Sequence, residues 1–364
     1  MEIKTLSLLD FRNYREQEIT FCPGINVIYG NNAQGKTNLL EAVYLFSHGK
    51  SPRAKTDAEM IRFGEKFFRL SLSFSDRNRS HTAQIQVTAE GKKSIKVNNV
   101  AIGRLSQLMR YLNVVMFSPQ DLEIVKGSPS VRRRFLDEAI SQLYPGYLSA
   151  LSEYHKALSQ KNSLLKMLRQ AHVSQDAVLS VWNEQLAVSG SQIVRYRQEF
   201  LSDMAKAASE FHAEISKEKL KIDYTPSIDC GIIEKEAQEI FLSRLEANQA
   251  REIEAGAAQI GIQRDDFKIS VSEKEARLFA SQGQQRTAVL SLKLAQTEYV
   301  HRIREEYPVL LLDDIMSELD IHRREYLSER IQKKQVLLTS TDTDLKESTG
   351  TTKLFRIDKG RLVE

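Results

Sequence analysis

Two short segments hold the residue types that handle phosphate and metal. GNNAQGKT places Gly30, Gly35, Lys36 and Thr37 in the register of a phosphate-binding loop, after the buried-strand pattern INVIYG and before a helix pattern running from Asn38 to Ser47. The glycines let the backbone curl so that amide N–H groups and the positive helix end face an anion. In that arrangement Lys36 reaches the β and γ phosphates of ATP, and the Thr37 hydroxyl ligates Mg²⁺. The expected contact comprises Gly30, Asn31, Asn32, Ala33, Gln34, Gly35, Lys36, Thr37 and Asn38. The second segment, PVLLLDD, reads as a buried strand that delivers Asp313 toward the metal, with Asp314 beside it to orient or deprotonate an attacking water. Folding alone offers a blander account of it, a capped core strand with solvated carboxylates.

Lys36 and Asp313 must meet at one ion, yet most of the 364-residue chain lies between them. The intervening stretch is therefore an insertion, and both ends of the sequence build one α/β nucleotide domain. The expected division is an ATP-binding lobe from residues 1–118 and 262–364, and an inserted, mainly helical lobe from 119–261. No guanine-recognition signature of the NKxD type occurs. A net charge of +4 argues for no partner by itself, so basic surface has to come from local clustering. Cys22 and Cys230 stand far apart, without metal-ligand spacing, which fits a reducing, cytoplasmic setting. The apolar run near Met1 is broken by Asp10 and Arg12, and no stretch is long enough to predict a membrane span.

The elements that must position these groups are legible in outline. IKTLSLLDF, QEITF and INVIYG read as strands, as do FFRLSLSF and HTAQIQVTAE, with Glu90-Gly91 and Asn98-Asn99 as hairpin turns. Ser128-Pro129 starts a helix that buries Phe135, Leu136, Ile140 and Leu143, and from there to about Asn248 the pattern is mostly helical, without a sustained heptad. RDDFKISV returns to strand character, and residues 344–353 read as a polar loop.

ASQGQQRT carries no base, nucleophile or metal ligand. Ser281 and Gln284 fit a capping box, and Gly283 allows a close backbone approach. Together with the two phosphate segments, this stretch resembles the signature of ATP-binding-cassette proteins, in which a serine and glycine at a helix end bind the γ-phosphate held by the other protomer. The order of elements is similar too: phosphate loop, Gln120 in FSPQDL like a Q-loop glutamine, SQGQ, Asp313-Asp314, then SELD like a D-loop. DFRNY, GNNAQGKTNLLEAVY, GSPSVRRRFLDE, RDDF, SQGQQRT and LLLDDIMSELD resemble blocks of the RecF family of SMC-type ATPases. The resemblance implies a head of mixed β-sheets with flanking helices and an inserted second lobe. It also implies Ser281, Gly283 and Gln284 bound to ATP in trans, Gln120 at the metal with Thr37 and Asp313, and a catalytic set of Lys36, Asp314 and Gln120.

Three departures stand out. Asp314 occupies a place where the wider class has glutamate, which sets a water back by about an ångström and slows hydrolysis. VLLTSTD offers Thr339, Ser340 and Thr341 where a switch histidine is expected, and GIQRDD has Gln263 where the family block has histidine.

The family further implies an ATP-dependent homodimer that binds double-stranded DNA and single-strand/double-strand junctions. It acts with RecR and RecO to load RecA, in recombinational repair, replication restart and the SOS response, as a weak DNA-stimulated ATPase. From the residues, Lys50, Arg53 and Lys55 in GKSPRAKT, and Arg132 and Arg133 in the triple arginine, are candidates for DNA phosphates. Arg133 and Arg134 also fit plain i,i+4 pairs with Asp137 and Glu138. Two rivals share the core motifs, a transporter's nucleotide-binding subunit and a DNA-binding scaffold that holds ATP without hydrolysing it.

Overall fold

The computed structural model describes residues 1–103, 105–172, 177–231, 233–341 and 351–363. β1 (Glu2–Phe11) and β2 (Tyr14–Thr20) form a hairpin, followed by β3 (Ile25–Tyr29) and α1 (Lys36–His48). The chain continues through β4 (Phe67–Ser75), β5 (Ser80–Thr88), β6 (Lys93–Val97), β7 (Val100–Ala101), α2 (Leu105–Leu108) and β8 (Val114–Phe117). Next come α3 (Glu123–Lys126), α4 (Pro129–Ser141), α5 (Pro145–Gln170), α6 (Val178–Ser216), β9 (Leu220–Thr225), α7 (Glu234–Ala247) and α8 (Gln249–Ala255). Then follow β10 (Asp266–Val271), β11 (Lys274–Glu275), α9 (Ala276–Phe279) and α10 (Gln282–Arg304). The rest is β12 (Val309–Asp313), α11 (Ile315–Glu318), α12 (Ile321–Ile331), β13 (Val336–Ser340), β14 (Thr352–Asp358) and β15 (Arg361–Val363).

The chain divides into two units, Met1–Asp121 with Val289–Glu364, and Leu122–Ala288. The first holds two sheets. One is an antiparallel sheet in the order β2-β1-β4-β5-β6-β7, in which Asn98 and Asn99 both take positive φ at the β6–β7 turn, as a tight hairpin requires. The other runs β15-β14-β3-β13-β12-β8 and is parallel except for β15. β12 and β13 are buried at every position, which is why both read as unbroken apolar runs. Leu39, Leu40, Val43 and Phe46 of α1 share one core with Leu6, Phe68 and Leu70 of the antiparallel sheet and Leu311 and Leu337 of the parallel one. Gln335, buried, ties the sheets by polar contacts: it accepts from Ile3 N–H at 2.6 Å and donates to Ile3 O at 2.7 Å.

In the second unit α5 and α6 pack together, and β9-β10-β11 form a small antiparallel sheet. The helical reading between Ser128 and Asn248 is thus interrupted by β9, whose alternating LKIDYT is a strand because β10 pairs with it. The same pairing accounts for where 262–288 pack. Those residues, expected with the ATP-binding lobe, lie in the second unit, where Gln284 also donates to Glu218 at 2.7 Å. α4 starts at Pro129 as the sequence predicts, but Ser128 Oγ shares its hydrogen bond with Ser130 Oγ and does not cap the helix. Of the expected polar loop, 344–350 lie outside the described residues, and Thr352 and Lys353 open β14.

Candidate nucleotide-binding site

β3, β13, β12 and β8 run parallel, with Tyr29 beside Ser340, Thr339 beside Asp313, and Leu312 beside Phe117. Their carboxyl ends therefore share one edge, where open α/β sheets bind ligands. At this edge the loop after β3 turns into α1. Gly30 (φ 148°) and Gly35 (φ 110°) lie where side chains are strained, and neither has room for one: a Cβ would meet Ile357 O at 2.3 Å or Asn13 Nδ2 at 2.5 Å.

Asn31, Asn32 and Ala33 are exposed at the loop's crest, while Lys36 is buried and donates to Gly30 O at 2.6 Å and Asn31 O at 2.9 Å. Burial lowers the Lys36 pKa, and the charges of Asp314 and Asp313 oppose that shift. Thr37 Oγ1 donates to Asp313 Oδ1 at 2.8 Å. Thr339, in the stretch that lacks a histidine, donates to the same oxygen at 2.9 Å and accepts from Asp314 N–H at 2.8 Å. Asp314 holds a left-handed conformation (φ 53°) at the start of α11, and Ser317 Oγ donates to its carboxylate at 3.2 Å. Gln120 is exposed in the turn Pro119–Leu122 directly after β8.

A hydroxyl and a carboxylate meeting at a phosphate loop are hard oxygen donors, which suits Mg²⁺. Among the described residues no group of three or more His, Cys, Asp or Glu gathers around a point. Mg²⁺ does not need one, because one or two carboxylates plus substrate phosphates hold it.

Several contributors escaped the sequence reading. Asn13 Nδ2 donates to Gln34 O at 2.8 Å, Asn38 Nδ2 donates to Asn13 Oδ1 at 2.8 Å, and Tyr14 OH donates to Gly35 O at 3.0 Å. From the β14–β15 turn, Lys359 N–H donates to Gln34 Oε1 at 2.5 Å and Gly360 N–H to Gln34 O at 3.0 Å. DFRNY was visible as a block, but nothing local shows that its asparagine clasps the loop. Glu41, buried on α1, accepts from Arg12 at 2.7 and 2.9 Å, from Arg53 at 2.7 Å and from Ser51 at 2.5 Å. Burial pushes its carboxyl pKa up, but the hydrogen bonds from Arg12, Arg53 and Ser51 outweigh burial and leave it below the ordinary range.

In the second unit the capping box is formed: Ser281 N–H donates to Gln284 Oε1 at 2.8 Å and Gln284 N–H to Ser281 Oγ at 3.3 Å. Ser281 is exposed and Gly283 half-buried in the first turn of α10. Gln263 accepts from Tyr154 OH at 2.7 Å and donates to Ile260 O at 2.6 Å, so it serves packing. Lys50, Arg53 and Lys55 are exposed. Arg132 and Arg133 require a correction as DNA candidates. Arg132 is buried with its guanidinium fork on Asp266 at 2.6 and 2.9 Å, and Arg133 donates to Asp265 O at 2.8 Å. The segment only looks like a surface patch because its partners are distant in sequence.

The pattern of the RecF/RecN/SMC N terminal domain matches residues 2–361. The DNA replication and repair protein RecF of Bacillus cereus (strain AH820) is 42% identical over 349 residues, 94% of this chain and 93% of the relative. The chain belongs to the RecF family. RecF of Bacillus thuringiensis (strain Al Hakam) shows the same identity and coverage, 42% over 94% of this chain and 93% of that one. Among solved structures, the recombination mediator protein RecF with ATPrS, in the RecFOR pathway, superposes with a TM-score of 0.93 at 36% identity, over 99% of this chain and 97% of that one. RecF with ATP gives 0.92 at 36% identity, over 100% and 97%. The Smc head bound to the C-winged helix domain of ScpA, 15% identical with a TM-score of 0.59, over 100% and 97%, shares the fold alone. The fold is therefore that of an SMC-type ABC ATPase head, and among the described residues no helix is long and apolar enough to cross a membrane.

Proposed function

We propose that this member of the RecF family is a cytoplasmic, ATP-gated DNA-binding protein of recombinational repair. ATP binding closes a homodimer with two nucleotides between the protomers, and the dimer grips duplex DNA near single-strand gaps. Slow, DNA-stimulated hydrolysis releases it. The observation that carries this reading is the hydrogen bond between Thr37 and Asp313, which joins residues 276 positions apart at the end of a phosphate loop.

In this mechanism Lys36, the loop amides and Thr37 hold the triphosphate, and Thr37 and Asp313, with Gln120 at the same edge, hold Mg²⁺. The ion, when bound, neutralises charge on the phosphates. Ser281 is poised for a partner's γ-phosphate because the capping box fixes the helix end while leaving the residue exposed. Leu278 and Phe279, 67% and 68% exposed, add an apolar pair beside it for a second copy to cover. Asp314, one methylene shorter than glutamate and engaged by Ser317, supports a slow cycle, a timer and not a motor. The solved RecF–ATP structure supports ATP as the ligand, and its place as a recombination mediator in the RecFOR pathway supports RecR and RecO as partners. The outcome of that partnership, in this proposal, is the loading of RecA.

Sedimentation with ATP, ADP and no nucleotide tests the gate. Wild type dimerises only with ATP, and Ser281→Arg binds ATP yet stays monomeric; a dimer in that variant sinks the proposal. DNA titrations across salt, in the same nucleotide states, test whether closure and phosphate contact go together. Asp314 also fits a scaffold that never hydrolyses, which would release no phosphate over many hours in the presence of DNA.

A further inference from the structure

Phe63 is 102% exposed, more than any other large hydrophobic side chain among the described residues. It forgoes the stabilisation that burying a phenyl ring gives, although its backbone is firmly placed. Met60 beside it is fully buried, Ile61 bridges to Phe11, Arg12 N–H donates to Met60 O at 2.8 Å, and Arg62 N–H donates to Asp10 O at 2.8 Å. Glu65 N–H then closes the turn on Arg62 O at 3.0 Å, and Gly64, at φ 89°, has nothing within 4 Å of where its Cβ would stand. The ring is therefore displayed at the tip of an anchored turn.

Positive charge predominates around it. Lys50, Arg53, Lys55, Arg62 and Lys66 lie in this segment with Asp57, Glu59 and Glu65. Asp57 is paired with Lys93 at 2.8 Å, Arg62 lies 3.5 Å from Glu65 and 3.9 Å from Asp10, and Arg53 is paired with Glu41 at 2.7 Å. Lys55 and Lys66 are exposed, as is Glu59, whose carboxylate accepts from the Lys55 and Thr56 amides at 3.2 Å. Arg12 also links the turn to α1, donating to Glu59 O at 3.0 Å and to Glu41.

An exposed aromatic ring among lysines and arginines matches the chemistry of an unpaired nucleobase, which offers a π-face flanked by phosphates. Inside a duplex both faces of a base are covered, so an open face is offered only by an unpaired base or at a duplex end. We infer that Phe63 stacks on the first unpaired base beside a duplex, with Lys55 and Lys66 on the neighbouring phosphates. It thereby gives the chain a preference for single-strand/double-strand junctions over continuous duplex. The inference rests on the DNA-binding reading above.

The test compares a closed-circular duplex, which has no ends, with one carrying a single-stranded overhang, 2-aminopurine occupying the first unpaired position, in the presence of ATP. Phe63→Ala, which disturbs no packing, is expected to bind the overhang duplex about tenfold more weakly, to bind the closed duplex within about twofold of wild type, and to lose the 2-aminopurine emission change. The slope of affinity against salt stays the same, because no phosphate contact is removed. Phe63→Trp restores both the preference and the emission change. Equal losses on the two duplexes, or none on either, overturn the inference. A Phe63→Trp emission that responds to ATP without DNA, in a chain whose Trp182 is replaced by Phe, overturns it in favour of a second copy as the occupant. A wild-type chain that binds neither duplex overturns the functional proposal itself, whereas wild-type binding of both with equal affinity overturns only the role of Phe63.

Discussion

Two buried sets of charges in this chain look alike in sequence and differ in how they are closed. Around Arg197, every guanidinium nitrogen has a partner: Tyr147 OH at 3.1 Å, Ile262 O at 3.0 Å, Asp265 at 2.7 Å and Asp137 at 2.8 Å. Asp265 is saturated in turn by Tyr224 OH at 2.5 Å and Ser227 N–H at 2.8 Å. At the carboxyl ends of β3 and β12 the charges stop short of closure. Lys36 rests on loop carbonyls, with Asp313 and Asp314 acting on it through space and not as hydrogen-bond partners. The closed set holds a fold together, and the open one is the set proposed above to hold nucleotide. Composition cannot distinguish them, because the RDD that supplies Asp265 looks as functional as GKT and LDD.

The sharpest way to break this contrast is to remove a charge from each. Lys36→Met or Asp313→Ala is expected to cut phosphate release by about 100-fold or more; Lys36→Met leaves the urea midpoint nearly unchanged, whereas Asp313→Ala also costs about 1 to 3 kcal/mol because Thr37 and Thr339 lose their acceptor. Persistent turnover in either would reject the site. Arg197→Ala should do the reverse, costing about 3 to 5 kcal/mol of stability in urea titration, because it leaves Asp265 buried and unpaired.

Glu41 lies between the two kinds, closed by Arg12, Arg53 and Ser51 yet attached to the phosphate-loop helix. Glu41→Gln is expected to cost about 2 kcal/mol at pH 7. Its folded pKa is depressed, so the stabilisation is present above the unfolded carboxylate value and fades as pH falls through the folded one. The gap between wild type and Glu41→Gln in urea midpoint therefore shrinks on acidification below about pH 4.3; a constant gap would show that the contribution is packing and not charge. The smallest effect belongs to Arg134→Ala. That side chain makes an exposed i,i+4 pair with Glu138 at 3.2 Å, and its loss should shift stability by less than about 0.5 kcal/mol.

What the sequence disclosed follows from range. The strand–loop–helix around Gly35, the Ser281–Gln284 box and the Asn98-Asn99 turn depend on neighbours a few residues away, and each is formed. Arg132 misled because its partner Asp266 is 134 positions distant, so a buried clamp looked like a patch. β9 was lost among helices because a short alternation acquires meaning only from β10. Thr339 registered as a missing histidine, and only the register of β13 against β12 shows that it holds Asp313 in place. Asn13 and Gly360 gave no local signal for their grip on Gln34.

That last grip has a consequence for how the protein is made. Gln34 takes hydrogen bonds from the Lys359–Gly360 turn, 325 residues downstream, so a ribosome working at 5 to 20 residues per second leaves the loop braced from the Asn13 side but not from this turn for roughly 15 to 65 s. A chain cut short just before the turn carries Lys36, Thr37 and Asp313 and still lacks these two bonds. The last brace on the loop is thus made late in translation, after every side chain it steadies has been synthesised.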